Sequence, residues 1–292
     1  MRTIPPSELI INGDGSVFHL HLKPSQLADL VILVGDPGRV DMVAGMFDEC
    51  ECRVESREFR TVTGKYKGRR MSVLSTGIGT DNIDIVVTEL DALANVDFES
   101  RSVKAEHKTL TLVRLGTSGA LQADLPVGTQ LMSRTSVGFD GLLGYYEGRD
   151  SVCDVEMERS FVEYMGWGEK LPVPYFVNAS EDLVRLFADS TVEGITISAP
   201  GFYGPQGRMV RLRPSMGEDV NRRIAEWNYC GRRITNYEME GSALAALAAL
   251  LGHRAITICT IIAQRVVGSA QTDYRPFVEA MVRMALDKLA TL

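Results

Sequence analysis

Two carboxylates, Glu238 and Glu240, flank Met239 immediately before the apolar run Ser242-Ala-Leu-Ala-Ala-Leu-Ala-Ala-Leu-Leu251. An ionised carboxylate accepts hydrogen bonds without needing a donor of its own, and at a helix N-terminus the dipole favours its charge, so this pair suits a diol. Two other stretches set cations among glycines, Gly35-Asp-Pro-Gly-Arg39 and Arg114-Leu-Gly-Thr-Ser-Gly119. Glycine lets backbone N–H groups approach an oxyanion, hydroxyls add donors and a guanidinium adds a planar fork, so both stretches read as anion sites. In Pro200-Gly-Phe-Tyr-Gly-Pro-Gln-Gly-Arg208 an aromatic face falls close to an amide and a guanidinium. That set suits a flat heterocycle carrying carbonyl and N–H groups.

Other motifs carry less. Gly77-Ile-Gly79 lacks the third glycine of a dinucleotide fingerprint, since position 82 is Asn, and it does not fall in a first βαβ unit with an acidic residue placed about 20 residues on; no nicotinamide cofactor is expected. The five cysteines have no scaffold spacing, and Cys50-Glu-Cys52 has no matching Cys/His pair downstream, so zinc is not expected either. In Val17-Phe-His-Leu-His-Leu22 the alternation predicts a strand with His19 and His21 on one side. Without a third ligand nearby, one structural histidine and one substrate contact is the economical reading.

These residues need elements to hold them. Leu30–Val34 is a continuous apolar run, the pattern of a strand buried on both faces, and Asp36 and Pro37 then cap and start a helix. Strands are predicted over 53–62 and 70–74, joined by a turn at 64–68, and a helix over 81–94. A charged loop over 96–108 leads to a strand at 110–114, with 115–120 as its terminal loop. Strands at 128–138, 194–198 and 255–263 alternate with helices at 180–189, capped by Ser180, after Glu240, and at 274–289. No repeat or linker interrupts the alternation, which predicts one α/β domain over residues 1–292, a central mixed sheet flanked by helices with the site along one edge. A chain of 292 residues that is 45% hydrophobic can bury a full core, and a net charge of -7 argues against a nucleic-acid surface. No basic-then-apolar leader opens the sequence and no run reaches the roughly 18 apolar residues that span a bilayer. A cytoplasmic location is expected.

Taken in order, Val17-Phe-His-Leu20, Gly35-Asp-Pro-Gly-Arg39, Ser56-Arg-Glu-Phe59, Ser75-Thr-Gly-Ile-Gly79, Arg114-Leu-Gly-Thr-Ser-Gly119, Phe202-Tyr-Gly-Pro-Gln-Gly-Arg208 and Asn236-Tyr-Glu-Met-Glu240 resemble the nucleoside phosphorylases, and among them the uridine-cleaving members. The resemblance implies a nucleoside phosphorylase-like fold. It implies that Gly35, Arg39, Arg114 and Thr117 hold phosphate, joined by Arg57 from a neighbouring subunit. It assigns His19, also across the interface, together with Met239 and Glu240 to the ribose, and Phe202, Gln206 and Arg208 to uracil. The reaction implied is reversible phosphorolysis of uridine to uracil and ribose 1-phosphate, with Arg114, Gln206, Arg208 and Glu240 catalytic, inorganic phosphate as co-substrate and no metal or organic cofactor. A site completed by a partner's residues requires at least a homodimer. Two departures stand out: Gly241 replaces the usual serine, and Asn82 replaces a serine beside Glu58 and Ile78 at the monovalent cation site of some relatives, so bound potassium is not expected. The alternatives are a purine nucleoside phosphorylase or nucleosidase of the same fold, and a non-catalytic nucleoside-binding subunit. Purine-cleaving relatives carry an Asp after the strand that here ends Ala263-Gln264-Arg265.

Overall fold

In the computed structural model, residues 2–265, 269–270 and 273–292 are described. The chain runs through β1 (Leu30–Val34), α1 (Pro37–Ala44), β2 (Glu49–Ser56), β3 (Phe59–Tyr66), β4 (Arg69–Ser75) and α2 (Thr80–Asn95). A small hairpin, β5 (Val96–Asp97) and β6 (Ser102–Val103), precedes β7 (Thr111–Ala120) and β8 (Gln130–Gly138). Next come α3 (Arg149–Val152), α4 (Val155–Met165), β9 (Tyr175–Asn178), α5 (Glu181–Phe187), β10 (Val192–Ser198), α6 (Val220–Glu226), β11 (Asn228–Tyr229) and β12 (Arg232–Glu238). The last elements are α7 (Gly241–Leu250), β13 (Arg254–Gln264), β14 (Ser269–Ala270) and α8 (Arg275–Leu289).

All five residues of β1 are buried. They alternate between two cores: Leu30, Ile32 and Val34 pack with α1, α5 and α8 on one face, Val31 and Leu33 with α2 and α7 on the other. This accounts for a run without polar alternation: a strand covered on both faces has no solvent side. The main sheet follows the order β11-β12-β10-β8-β13-β7-β1-β4-β3-β2. It is mixed: β1 lies parallel to β4 and β7, whereas β3 runs antiparallel to both β2 and β4. Because β12 also pairs antiparallel with β7, the β7-β13-β8-β10-β12 half closes into a ring. Helix α7 is buried from Gly241 to Ala248, as expected of a helix apolar all round, and packs against α2 and the strands of that ring.

Several sequence-based boundaries move. The expected strand over 53–62 is a hairpin: β2 and β3 meet at Arg57, whose φ of 54° reverses the chain, and the turn to β4 shrinks to Lys67-Gly68. Residues 115–120, expected as a loop, continue β7, because β13 pairs along that whole length. The stretch 17–22 is a turn, not a strand. Val17 N–H bonds Leu22 O at 2.9 Å, His21 takes a φ of 53°, and Val17, Leu20 and Leu22 point into the core beside α2. His19 and His21 therefore do not share a strand face. Ser180 precedes α5 but makes no cap hydrogen bond; its Oγ accepts from Ala255 N–H at 2.9 Å and ties the helix start to β13.

Candidate active site

The mutually parallel β1, β4, β7 and β13 bring their C-terminal ends together, where open α/β sheets bind ligands, and the antiparallel β12 meets β7 there end to end, Asn236 and Tyr237 facing Ala120 and Gly119. A cavity of about 850 Å³ opens there. The residues that the resemblance assigns to phosphate, Gly35, Arg39, Arg114 and Thr117, line it, as do those it assigns to the ribose, Met239 and Glu240, and to the base, Phe202, Gln206 and Arg208. His19 and Arg57 do not. They lie together outside that lining, where Arg57 stands 5.7 Å from the Phe18 ring and His19 Nδ1 meets Glu89 Oε1 at 2.6 Å. Glu89 also receives the N–H groups of His19 and Leu20, so the imidazole is held in place within this chain.

The two cations of the anion region differ in state. Arg114, buried in β7, pairs with Glu238 at 3.1 Å and with Glu240. Burial opposes its charge, but the two carboxylates outweigh that and hold the guanidinium above its ordinary range. Arg39, on the first turn of α1, donates only to Leu115 O at 3.1 Å, and among the described residues no carboxylate lies at ion-pair distance. Burial and the neighbouring Arg114 charge push its pKa down. A cation held where its charge is disfavoured is a place for an anion. Asp36 caps α1 by accepting from Gly38 N–H at 2.9 Å, and the buried Ser118 hydroxyl, on a residue that lines the cavity, has no partner among the described residues.

The glutamates divide their roles, which the sequence reading as a joint diol site did not anticipate. Glu238 accepts from Glu240 N–H at 2.9 Å, from Gly241 N–H at 3.0 and 2.9 Å, from the Ser198 hydroxyl and from Arg114. Its acceptor sites are full. Glu240 accepts from Gly79 N–H at 2.7 Å and from Arg114, so each oxygen keeps capacity for a further donor. Gly79, at φ 101°, turns its N–H toward Glu240 from the start of α2. Burial raises the pKa of Glu240 and Arg114 opposes it.

In the base region Arg208 lies 3.7 Å over the Phe202 ring and donates to Gln206 Oε1, which Arg265 also reaches at 3.4 Å. Guanidinium groups only donate, so the Gln206 amide is oriented with its oxygen toward both arginines. Arg208 falls to a pKa of about 10 through burial and the nearby Arg265. Arg265 stands 5.3 Å from the Tyr237 ring, and the buried Tyr237 hydroxyl has no partner among the described residues. The sequence reading missed both. Tyr237 sits inside the quoted Asn236–Glu240 motif, and Arg265 directly follows the strand end compared with purine enzymes. A larger cleft of about 1030 Å³ adjoins across Arg208, with Trp167, Tyr203, Val210 and Leu212 among its walls. It contains neither carboxylate nor amide, so the chemistry belongs to the smaller cavity.

Elsewhere Asp91, His107 and His253 bring ligand-type atoms within 4.8 Å of one another. His253 Nδ1 accepts Leu110 N–H at 3.2 Å, which puts the ring proton on Nε2, 3.1 Å from Asp91 Oδ1. A metal on Nε2 would have to break that arrangement.

Comparison with known proteins agrees with the geometry. Residues 29–292 match the phosphorylase superfamily. A uridine phosphorylase of Thermococcus kodakarensis is 31% identical over 87% of this chain and 79% of its own length. A guanosine phosphorylase of Halorubrum lacusprofundi is 28% identical over 94% of this chain and 98% of its own. Among solved structures, a Trypanosoma brucei nucleoside phosphorylase described as showing uridine phosphorylase activity aligns at a TM-score of 0.88 with 28% identity, covering 97% of this chain and 100% of that one.

Proposed function

This chain belongs to the phosphorylase superfamily, and from that premise we propose that it is a uridine phosphorylase, cleaving uridine with inorganic phosphate to uracil and ribose 1-phosphate. One observation carries the reading: a single cavity joins an anion region, an acceptor carboxylate and an amide beside the Arg208 guanidinium, with Arg265 reaching that amide from outside the lining. Arg39 and Arg114, with Thr117 and the backbone beside Gly35, hold phosphate against C1′. Glu240 accepts from the ribose 2′- and 3′-hydroxyls beside Met239, which orients the sugar. As the glycosidic bond lengthens, positive charge grows on the ribose and negative charge on the base, so groups that bind these charges lower the barrier without a covalent nucleophile. Gln206, Arg208 and Phe202 receive the departing uracil anion, and the cations Arg208 and Arg265 favour it. Phosphate is the one co-substrate, and no organic cofactor or metal takes part.

Arg57 and His19 do not line the cavity of their own chain, which fits a role in a partner's site, and the working unit is a homo-oligomer of at least two chains. No helix among the described residues is long and apolar enough to cross a membrane, and the proposed location is the cytoplasm.

Purine cleavage is the second reading, since one relative is named for guanosine. Against it, the residue after Ala263 is Gln264, whose Nε2 is committed to Gln122 O at 2.6 Å and Leu125 O at 3.2 Å, and no acid stands there to protonate N7. Uracil release is measured with and without phosphate, and guanosine and inosine run alongside. Uridine cleavage that stops when phosphate is omitted supports the reading; equal rates with and without phosphate overturn it.

A further inference from the structure

Arg114 is extended along its own strand. Its guanidinium lies over Gly116, two residues on, and a Cβ added there would overlap Arg114 Nη1 while standing 3.0 Å from Cys259 Sγ. Cys259 is the registered neighbour of Gly116 across the parallel β7–β13 ladder. Its sulfur receives Nη1–H at 3.7 Å. Nη1 and Nη2 also face Glu238 and Glu240, while Nε is buried without a partner among the described residues. Thus the carboxylates hold one side of the fork, and on the other its depth is limited by an absent side chain and a thiol. The thiol is fully buried, and burial pushes its pKa up to about 12, so it stays neutral and acts as a soft acceptor.

We propose that Cys259 is a positioning residue for the Arg114 guanidinium, and that with Gly116 it sets where the cavity presents that charge to an oxyanion. The inference rests on the reading of Arg114 as a phosphate ligand. Sulfur suits the place because it fills the slot while bonding weakly. A charged acceptor there would draw the fork away from Glu238 and Glu240, and an aliphatic group would take this neutral acceptor away from Nη1–H in a buried site.

The test uses the full chain with Cys259→Ala, Cys259→Val and Cys259→Ser. Phosphate KM, uridine KM and kcat are measured, together with the thermal shift produced by inorganic phosphate alone. Losing a weak acceptor to a buried cation predicts a phosphate KM raised about fivefold to tenfold in Cys259→Ala and Cys259→Val. Uridine KM should stay within about twofold, and the phosphate-induced shift should fall in parallel. Cys259→Ser, which restores an acceptor, should recover at least half of the loss on a logarithmic scale. A purely structural thiol would lower the melting temperature and leave the phosphate KM of the folded fraction unchanged, which overturns the proposal; so does a parallel rise in both KM values. Should Cys259→Val fail to fold, the Ala and Ser pair decides the matter. If wild-type protein is neither stabilised by phosphate nor dependent on it, the phosphate reading of the site fails. If wild type responds and the variants match it, only the role of Cys259 fails.

Discussion

Replacing Arg39 with Met should separate function from stability in an unusual direction. In the free protein the Arg39 charge is disfavoured by burial and by Arg114, and its one hydrogen bond, to Leu115 O, measures 3.1 Å. Losing that bond costs about 1 kcal/mol, and removing the disfavoured charge offsets it, so phosphate-free stability should change little. With phosphate present the balance reverses. A charge-assisted hydrogen bond contributes about 1.5–3 kcal/mol, and a unit charge pair 4 Å apart at an effective dielectric of 20 sets a ceiling of about 4 kcal/mol. Arg39→Met should therefore lower kcat/KM for phosphate by about 10- to 10³-fold while leaving uridine KM near that of wild type. Wild type at a hundredfold excess of phosphate over its Kd gains about 2.7 kcal/mol, a shift of several degrees that the variant should lose. Initial rates across a phosphate series and melting curves in phosphate-free and phosphate-containing buffer give both numbers. A variant that melts much earlier without phosphate yet keeps the wild-type phosphate dependence would refute the argument.

Other outcomes follow from the same geometry. Glu240→Gln should cut kcat/KM for uridine by about 10²-fold or more, because its carboxylate receives the ribose hydroxyls. An acid whose pKa is raised takes up its proton sooner as pH falls, so at saturating phosphate the acid limb of kcat/KM should have its midpoint above the ordinary carboxylate range and should vanish in Glu240→Gln; a midpoint within that range contradicts the burial of Glu240. Gln206→Ala should erase most of a uridine preference over cytidine of about two orders of magnitude, since once the uracil carbonyls draw the arginines off Gln206 Oε1 that oxygen can accept the ring N–H that cytosine lacks; an unchanged ratio removes Gln206 from base selection. Mixing inactive Arg57→Ala with inactive Glu240→Ala chains should restore activity, because a mixed dimer keeps one intact site, and no recovery despite demonstrated subunit exchange rules out a shared site.

The parts of this fold that were legible in the sequence are those where one local signal dominates. β1 is an unbroken apolar run bounded by a capped, proline-started helix, and its limits, Leu30–Val34, coincide with the expectation. α7 was legible because only burial explains nine Ala and Leu residues after Gly241-Ser242. Errors arose where tertiary pairing overrode local signals. Glycines at 116 and 119 suggested a loop, yet β13 holds 115–120 in the ladder, and Gly116 is small because Arg114 lies over it. Alternation in 17–22 suggested a strand, but the three apolar residues are drawn inward by α2 while Glu89 fixes the backbone between them. In the site, residue types gave the anion, diol and heterocycle regions, and nine of those side chains and glycines line one cavity. The division of labour between Glu238 and Glu240 was not legible. It depends on where Ser198, Gly79 and the α7 N–H groups come to lie, which spacing along the chain does not encode.

The central claim is that phosphate, held at Arg39 and Arg114, displaces uracil directly at C1′ of uridine. The most direct measurement is phosphorus NMR of the product mixture formed from uridine and inorganic phosphate. A single displacement inverts the anomeric carbon, so α-ribose 1-phosphate should appear in one-to-one ratio with uracil, and none should form without phosphate. Free ribose alongside unconsumed phosphate, or the β-anomer, would contradict it.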